Sequence, residues 1–469
     1  MKMKKILALV LALAMVFALV ACGGGGSSTP APAASDSPSG SSAAPASSST
    51  PAASTAPVNP NAEVEVNTAK PYPHANEDGT PDLDKIAHFD YEYDYSQNPN
   101  YRVAYVASSS YFLYQAAADA IEAWCPSFNL TWDGFYFNND GDANSYMTIL
   151  QQVLDSGVEM LILDPDNTIF PSVKQLIDQY PEVKWMPMMS QARDGSEEAG
   201  APMGGWMTHP YAGFDMGEAG RAVVKRAWDW KEENYPDADP AKVGCIVFDF
   251  STSPALHERT VAVQEWWAAN AGASSANCWV CDTVSAGLTY EGAKSIFPGE
   301  VAKHTEIEYW CVAGIIDDWA LAAADTLEEI GLTDTSVSVT FGGTGFIQQW
   351  DAGISTAARY ALFTAQTLYD EPILGAVYAF KMGWCTEEEI WPNWRNPADC
   401  GKNGEYSSLL LPTEWLSEDD YLHYLKWTDM YASVSTYAYL KGYDDVPVSI
   451  DDFSSFVSEY PDYYTGTGM

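Results

Sequence analysis

Basic residues are scarce in this chain. Lys and Arg together number 23, against 64 Asp and Glu, and the formal net charge is −41. A surface with this excess of negative charge repels nucleic acid and anionic lipid headgroups, so the composition argues against both as partners. The overall field does not locate a binding site. It does predict a chain whose copies repel one another in solution.

Sequence signatures of catalysis are also absent. The chain contains no G-x-S-x-G, no phosphate-loop G-x-x-x-x-G-K, no H-E-x-x-H and no G-x-G-x-x-G after a predicted strand, and its six histidines are scattered. Two carboxylate pairs, Asp164 with Asp166 and Asp317 with Asp318, could suggest a glycosidase. However, two acids on one turn more often cap a helix or accept hydrogen bonds. We therefore predict a protein that is not an enzyme and needs no cofactor.

Cysteine is used sparingly, with eight in the chain and no Cys–His cluster at zinc-binding spacing, so no metal site is predicted. Three cysteines fall in apolar runs that read as buried strands and are expected to be core thiols: Cys245, Cys281 and Cys311. Cys278 and Cys281 have redox-motif spacing, but they lie inside a predicted strand, which favours the structural interpretation. Cys385 and Cys400 flank a Trp- and Pro-rich loop; a disulfide and two free thiols are both open there.

A long apolar run occurs only near the N-terminus, at residues 6–20. Three lysines precede it, and Leu19-Val20-Ala21-Cys22 follows in the pattern of a lipobox. The run is short for a transmembrane helix and ends in a small residue, a cysteine and four glycines. We predict that residues 1–22 are a lipoprotein signal peptide and that Cys22 is acylated, for instance with palmitate. The lipid would then be the only membrane contact, and loss of the signal would change the net charge from −41 to −44.

The remaining chain begins with two segments that lack a core. Residues 23–70 are rich in Ser, Ala and Pro and are predicted to be a disordered linker, and residues 71–100 form a polar lead-in. From residue 101, strand-like and helix-like stretches alternate. Predicted strands cover residues 102–107, 130–137, 158–163, 183–189, 243–250, 277–284, 307–316 and 337–341. Predicted helices cover residues 111–124, 143–154, 170–179, 216–230, 254–270, 290–301 and 319–330. This alternation predicts an α/β fold with parallel sheets.

The clearest unit of this pattern spans residues 307–342. An apolar strand ends at Asp317 and Asp318, an Ala- and Leu-rich helix follows, Gly331 ends that helix, and a second strand resumes. Asp318 is expected to cap the helix. Strand, helix and strand form one βαβ unit of a parallel sheet, whose ligand sites lie at the carboxyl ends of the strands.

The order of these segments resembles the type I periplasmic sugar-binding proteins, the ribose- and galactose-binding group. Residues 316–323, I-D-D-W-A-L-A-A, are similar to the family's N-D-x-x-A-L-G-A segment. Residues 212–221 look like its V-x-x-D-N-x-x-x-G, residues 253–259 like its S-x-x-x-x-E-R, and residues 409–415 like its closing strand. The resemblance covers about residues 101–432. It implies an α/β fold of two doubly wound parallel-sheet lobes joined by a hinge.

The resemblance also implies a division of the chain. Residues 101–210 and 344–375 are assigned to lobe I, residues 211–343 and 376–432 to lobe II, and residues 433–469 to a C-terminal extension that matches no family segment. A final helix is expected to run to about residue 431. Hinge crossings are expected near residues 209–214 and 341–344, where glycines can absorb backbone rotation.

The candidate ligand site follows from matched positions at strand ends. Asp215 and Arg259 match residues that bind sugar hydroxyls, and Tyr111 and Phe112 stand where the family places aromatics that stack on the sugar. An arginine fork beside carboxylates suits a polyol, because a hydroxyl both donates and accepts hydrogen bonds. A surface salt bridge for Arg259 and core packing for the aromatics are the alternatives. The other candidate ligand-binding residues are Asp164, Ser190, Gln191, Tyr290 and Asp317.

Two positions depart from the family pattern: Ile316 replaces an asparagine, and Gly342 replaces the hinge aspartate. A simple hexose or pentose would lose both polar contacts, so ligand identity stays open. The resemblance implies an extracytoplasmic substrate-binding lipoprotein of an ABC importer, anchored at the cell membrane, that takes a small polar ligand, sugar first, to permease and ATPase subunits. A nucleoside- or autoinducer-binding protein, a ligand-presenting sensor subunit and a degenerate surface-adhesion module are the alternatives.

Overall fold

The computed structural model describes residues 70–90, 92–110, 112–137, 143–165, 167–188, 190–363, 367–394, 401–410, 413–419 and 421. The predicted signal peptide, almost all of the predicted linker, the final helix to about residue 431 and the C-terminal extension lie outside these residues. Within them, no helix is long and apolar enough to cross a membrane.

The first sheet has four parallel strands in the order β2-β1-β3-β4. The strands are β1 Arg102–Ala107, β2 Thr131–Phe137, β3 Met160–Asp164 and β4 Lys184–Pro187, and the connecting helices are α1 Phe112–Trp124, α2 Ala143–Asp155 and α3 Phe170–Ile177. Every residue of β3 is buried, as a parallel strand covered by helices on both faces requires. Alternate residues of β1 enter two different cores, with Tyr105 in one and Val106 in the other.

The second sheet has six strands in the order β12-β10-β9-β8-β6-β7, all parallel except β12, which runs antiparallel to β10. The strands are β6 Val243–Asp249, β7 Cys278–Asp282, β8 Tyr309–Gly314, β9 Ser336–Phe341, β10 Ala358–Phe363 and β12 Glu414–Ser417. The helices that belong to it are α4 Met216–Asn234, α5 Pro254–Asn270, α6 Tyr290–Val301, α7 Asp317–Glu329 and α8 Thr344–Asp351. The two sheets with their helices are the two predicted α/β lobes, and the predicted fold class is confirmed.

Short elements complete the described chain. Strand β5 Tyr211–Gly213 pairs in parallel with β11 Ser408–Leu410 as a separate two-stranded sheet, and α9 spans Thr367–Met382. Five single turns of 3-10 helix occur at Tyr95–Gln97, Asn167–Ile169, Pro240–Lys242, Gly272–Ser274 and Pro392–Trp394. The strand β5 lies where the first hinge crossing is predicted, between the last strand of the first sheet and the first helix of the second lobe.

The second predicted crossing, at residues 341–344, differs from the structure. Strand β9 ends there, but α8 and β10 follow, and β10 pairs with β9 in the same sheet. After Phe363 the chain leaves the second sheet. The next helix, α9, packs against β3 and β4 of the first sheet. Residues 344–363 therefore lie with lobe II and all of α9 lies with lobe I. This reverses the predicted assignment of residues 344–363 and of 376–382, whereas residues 367–375 lie in the predicted lobe. A strand and a helix have the same sequence periodicity in either lobe. The periodicity therefore could not predict which sheet β10 joins.

The lead-in before β1 is part of the first lobe's core. Phe89 and Tyr95 stack with ring centroids 4.9 Å apart, and Tyr95 contacts Phe128 at 5.1 Å and Tyr378 of α9 at 5.9 Å. Glu371 of α9 accepts a hydrogen bond from the backbone N–H of Phe89. The acidic composition of this segment predicted only a polar segment before the fold. In the structure, its aromatic residues pack against one side of α9.

Gly375 lets the lead-in approach α9 closely. An added Cβ would lie 1.6 Å from the backbone oxygen of Ala87, so Gly375→Ala forces the two segments apart. We expect a loss of about 1–3 kcal/mol of unfolding free energy, measured by urea denaturation. Gly299→Ala in α6 is the matched control, because no atom lies within 4 Å of its added Cβ. That helical substitution should stabilise by about 0.5–1 kcal/mol. Equal effects of the two substitutions would contradict the close approach.

Candidate functional site

Each sheet has one topological switch point, where neighbouring strands send their connections in opposite directions. It lies between β1 and β3 in the first sheet and between β6 and β8 in the second. The carboxyl ends of strands at such a point border a crevice, and ligands of open α/β sheets bind there. The side chains at these two edges are therefore the candidate site.

Asp164 ends β3 at the first of these edges, as predicted. Its side chain is almost completely buried, with 1% exposure, and its backbone oxygen accepts a hydrogen bond of 2.9 Å from the N–H of Ser108, just after β1. Tyr105 of β1 is close enough to feel the Asp164 charge. Burial, and next to it the Asp164 carboxylate, raise the pKa of Tyr105 well above its ordinary value.

Arg259 lies at the second edge, and its burial excludes the alternative of a surface salt bridge. Only 8% of the residue is exposed. Its Nη1 donates a hydrogen bond of 2.8 Å to the backbone oxygen of Ile315, directly after β8, so a side chain from α5 reaches across the switch point. The guanidinium carbon lies 4.3 Å from the ring centroid of Phe341 and 5.1 Å from that of Phe214. The sulfur of Met216 lies 3.2 Å from Nη2.

Asp317, the first residue of α7, lies at the same edge. Its Oδ2 accepts a hydrogen bond of 2.7 Å from the backbone N–H of Gly345 in α8. Its Oδ1 is buried and has no hydrogen-bond partner among the described residues. Burial, assisted by the neighbouring charge of Asp318, outweighs the opposing effect of backbone N–H groups at residues 343–345 and raises the pKa of the Asp317 carboxyl from its ordinary 3.8 to about 7. The site therefore holds an acid that changes charge near neutral pH.

Gly342 makes room for this carboxyl group. An added Cβ on Gly342 would lie 3.2 Å from the Cβ and 3.7 Å from the Cγ of Asp317, and the glycine has a φ of +108°. Both the space and the backbone conformation favour glycine. Gly342, one of the two positions that depart from the sugar-binding pattern, is thus the one against which Asp317 packs.

Two other acidic residues that the sequence singled out, Asp215 and Asp318, lie at the starts of helices. Asp215 is the N-cap of α4, where its Oδ1 accepts a hydrogen bond of 2.7 Å from the N–H of Glu218. The prediction that Asp318 caps α7 is wrong. The helix begins one residue earlier, at Asp317, with Ile316 as its N-cap and no side-chain cap bond.

Gln191 and Ser190 lie in the loop that leaves β4. The Oε1 of Gln191 accepts a hydrogen bond from Nη2 of Arg193, and that guanidinium nitrogen lies 3.7 Å from the carboxylate of Glu258 in α5. Arg193 also donates a 2.9 Å hydrogen bond to the backbone oxygen of Gly205. Gln191 therefore orients an arginine that joins this loop to the helix carrying Arg259. Ser190 is half-buried beside it.

Tyr290 is placed away from the other candidates. Its hydroxyl donates a hydrogen bond of 2.7 Å to Asp325, which also accepts one of 2.7 Å from Gln349. Asp325 is about 12 Å along α7 from Asp317, at 1.5 Å per residue. The structure therefore gives Tyr290 a helix-packing contact. Tyr111 lies outside the described residues, and only the backbone of Phe112, at the start of α1, is described.

One pair at this edge was missed by the sequence analysis. Asp249 ends β6, and its two carboxylate oxygens lie 3.0 and 2.8 Å from Nδ1 of His257 in α5. Thr260 also donates to Asp249, at 3.1 Å. Because Nδ1 faces the carboxylate, the imidazole presents Nε2 away from it. An acid at the end of a predicted strand, followed by a histidine near the start of the next helix, was the available signal.

The second edge thus combines an arginine beside two aromatic rings, a buried carboxyl group and an oriented imidazole. These groups can exchange hydrogen bonds with the hydroxyls of a small polar molecule, and the rings offer it an apolar face. Within the described ranges, no group of three or more His, Cys, Asp or Glu side chains could hold a metal ion.

No protein-family profile and no curated protein sequence matches the chain. Solved structures do. The LsrB protein of Clostridium saccharobutylicum in complex with AI-2 has 12% identity and a TM-score of 0.53, over 69% of this chain and 99% of that one. An ABC transporter solute-binding protein of Burkholderia graminis in complex with D-arabinose has 9% identity and a TM-score of 0.52, over 68% and 96%.

A third structure, the periplasmic solute-binding protein of an ABC transporter from Actinobacillus succinogenes with bound D-allose, has 11% identity and a TM-score of 0.52, over 70% of this chain and 100% of that one. At these identities the likeness is one of fold. It confirms the two-lobed α/β architecture that the sequence resemblance predicted.

Proposed function

We propose that this chain is the extracytoplasmic substrate-binding lipoprotein of an ABC importer and that it binds a small polar ligand, sugar first, between its two lobes. The observation that carries the proposal is the carboxyl group of Asp317. It is buried at the edge where this fold collects ligands, one oxygen is held by the N–H of Gly345, and the other has no partner among the described residues. The arabinose, allose and AI-2 complexes of similar folds support a ligand rich in hydroxyls.

Each group at the second edge has a role in this proposal. A ligand hydroxyl donates to Oδ1 of Asp317, and the Nε2 of His257 bonds a second ligand oxygen. Arg259 supplies positive charge and fixes the backbone oxygen of Ile315. The rings of Phe214 and Phe341, 4.4 Å apart, border the guanidinium and exclude water from it. Asp164 is the contact proposed for the first lobe.

A thermal-shift screen over sugars, nucleosides, amino acids and AI-2 tests the proposal. A ligand at 100 times its dissociation constant adds about 2.7 kcal/mol to the free energy of unfolding, so a true ligand raises the melting temperature visibly. Asp317→Asn is the matched variant; a tenfold loss of affinity leaves about 1.4 kcal/mol of this stabilisation, so the shift should fall by about half or more. A sugar that stabilises only the wild type supports the proposal, whereas a nucleoside or AI-2 would redirect it within the same fold. No response to any class would contradict it.

The lipid anchor is a separate part of the proposal, supported by the lipobox that ends at Cys22 and the following linker. Cys22→Ala should abolish incorporation of labelled palmitate and leave the precursor uncleaved by the lipoprotein peptidase. Cys125→Ala, at a buried thiol of the first lobe, is the control and should keep the label. Palmitate incorporation or precursor cleavage that persists in the Cys22→Ala protein as in the wild type would overturn the anchor. If the predicted linker is disordered, its length corresponds to a root-mean-square span of about 35–40 Å, enough for the lobes to reach a permease.

A further inference from the structure

Three thiols lie side by side across the second sheet. The strand register pairs Cys245 of β6 with Cys278 of β7 on one side and with Cys311 of β8 on the other. Residues in register on parallel strands point to the same face, so the thiols form a row with Cys245 in the middle. All three are free thiols.

The two neighbours of Cys245 differ in accessibility. Cys311 is buried, and its thiol lies 3.5 Å from the backbone oxygen of Ala227, to which it donates. Cys278 opens β7, the outermost strand of the sheet, and is partly exposed. Burial first, and then the neighbouring Cys278 thiol, raise the pKa of Cys245 well above its ordinary value. A reachable thiol therefore sits against a buried one.

The redox-motif spacing in the sequence points to a different pair, and the structure rules that pair out. Cys278 and Cys281 occupy one strand three residues apart, so their side chains point to opposite faces and their Cα atoms are about 10 Å apart. Disulfides need Cα atoms within about 7 Å. Neighbouring strands, by contrast, are about 4.8 Å apart, which places Cys278 and Cys245 within bonding range.

We propose that Cys278 and Cys245 are a redox modification site in which a hydroperoxide converts the two thiols into a disulfide across β7 and β6. The Cys278 thiolate attacks the peroxide, the O–O bond breaks, and one oxygen stays on sulfur as a sulfenic acid while hydroxide leaves and becomes water. The Cys245 sulfur then gives up its proton, attacks the Cys278 sulfur, and displaces the oxygen as a second water. Two thiols lose two electrons, and hydrogen peroxide ends as two waters.

The disulfide would link the edge strand β7 covalently to the buried strand β6 beside it. Cys245 lies four residues before Asp249, about 13 Å from the carboxyl end where the ligand groups gather. The modification therefore leaves the proposed ligand site intact and stands or falls independently of it. Cys278 is the reacting thiol because it is the accessible one, and Cys245 is the resolving thiol because it is the adjacent one.

The test uses the full chain with hydrogen peroxide under native conditions, followed by alkylation of the remaining thiols and peptide mapping by mass spectrometry. We expect a disulfide-linked peptide pair containing Cys245 and Cys278, reversed by dithiothreitol. Cys278→Ser should abolish it, and this partly exposed strand position tolerates the change. Cys281→Ser, in the same strand, and Cys311→Ser, in the same row, should keep it.

Three results would overturn the proposal. The first is a link from Cys278 to Cys281, the second is a Cys278 that proceeds to sulfinic acid with Cys245 still alkylatable, and the third is a Cys278 that stays reduced under peroxide. An unchanged thermal shift with a confirmed ligand after oxidation is also expected, because the site and the cross-link lie at opposite ends of the strands. Loss of ligand response upon cross-linking would contradict that separation.

Discussion

Asp317→Asn is expected to make the protein more stable at pH 8, by about 2–4 kcal/mol, and to weaken its ligand binding. The Asp317 carboxyl has a pKa of about 7 in the folded protein and an ordinary value of 3.8 when exposed. Between these values the folded chain keeps a proton that the unfolded chain has lost. Stability therefore falls as pH rises through this window, and the full penalty applies above about pH 7. Asparagine has the same shape and no charge, so it removes the penalty.

Urea denaturation of both proteins at pH 5 and pH 8 measures this effect. The wild type should be less stable at pH 8 than the variant, and the two should converge at lower pH. Asp318→Asn is the control, since its half-buried side chain should give a smaller change of the same sign. Ligand affinity, in contrast to stability, should be lower in the Asp317→Asn variant than in the wild type. A charged acceptor for a ligand hydroxyl is lost, at about tenfold or more in affinity. A variant as unstable as the wild type at pH 8 would show that Asp317 is not the buried acid described here.

Arg259→Ala is expected to have the second large effect. It should weaken the free energy of ligand binding by about 2–5 kcal/mol, which lowers the affinity about thirtyfold or more. The change removes the positive charge at the second edge and leaves the backbone oxygen of Ile315 without its donor. An unsatisfied buried carbonyl also costs about 1–3 kcal/mol in stability, so titration calorimetry must be done at a temperature where the variant is folded.

Lys225→Ala is the matched control for Arg259→Ala. Lys225 lies in α4 of the same lobe, its side chain is largely exposed, and its ion pair with Asp229 is a surface contact worth little. Its removal should leave ligand affinity unchanged. If Arg259→Ala bound as tightly as Lys225→Ala, the ligand would have to lie away from the edge formed by β6 and β8.

Much of the fold could be predicted because parallel strands with both faces covered are apolar along their whole length. The predicted strand 102–107 and the predicted helices 254–270 and 290–301 match β1, α5 and α6. The assignment of residues 344–363 failed for a physical reason. A strand followed by a helix has the same periodicity whichever sheet it joins, so only the pairing of β10 with β9 assigns this segment to its lobe.

The sequence predicted where the candidate site lies in the fold, but not how its side chains contact one another. Strand ends are visible in the sequence, and Asp164 and Asp317 lie at the edges they predict. Side-chain direction is not visible, which is why Tyr290 turned out to contact Asp325 and why the pairing of Asp249 with His257 was missed. The roles of the other candidates in ligand binding remain predictions.

Solution scattering of the full chain, with and without a saturating ligand from the screen, tests the central claim most directly. If the two lobes close on a ligand by rotation about the segments that connect the two sheets, the radius of gyration should decrease on binding. At a ligand concentration near the wild type's dissociation constant, Asp317→Asn should show a much smaller decrease than the wild type. A ligand that binds tightly by calorimetry and leaves the scattering profile unchanged would contradict a ligand site between the lobes.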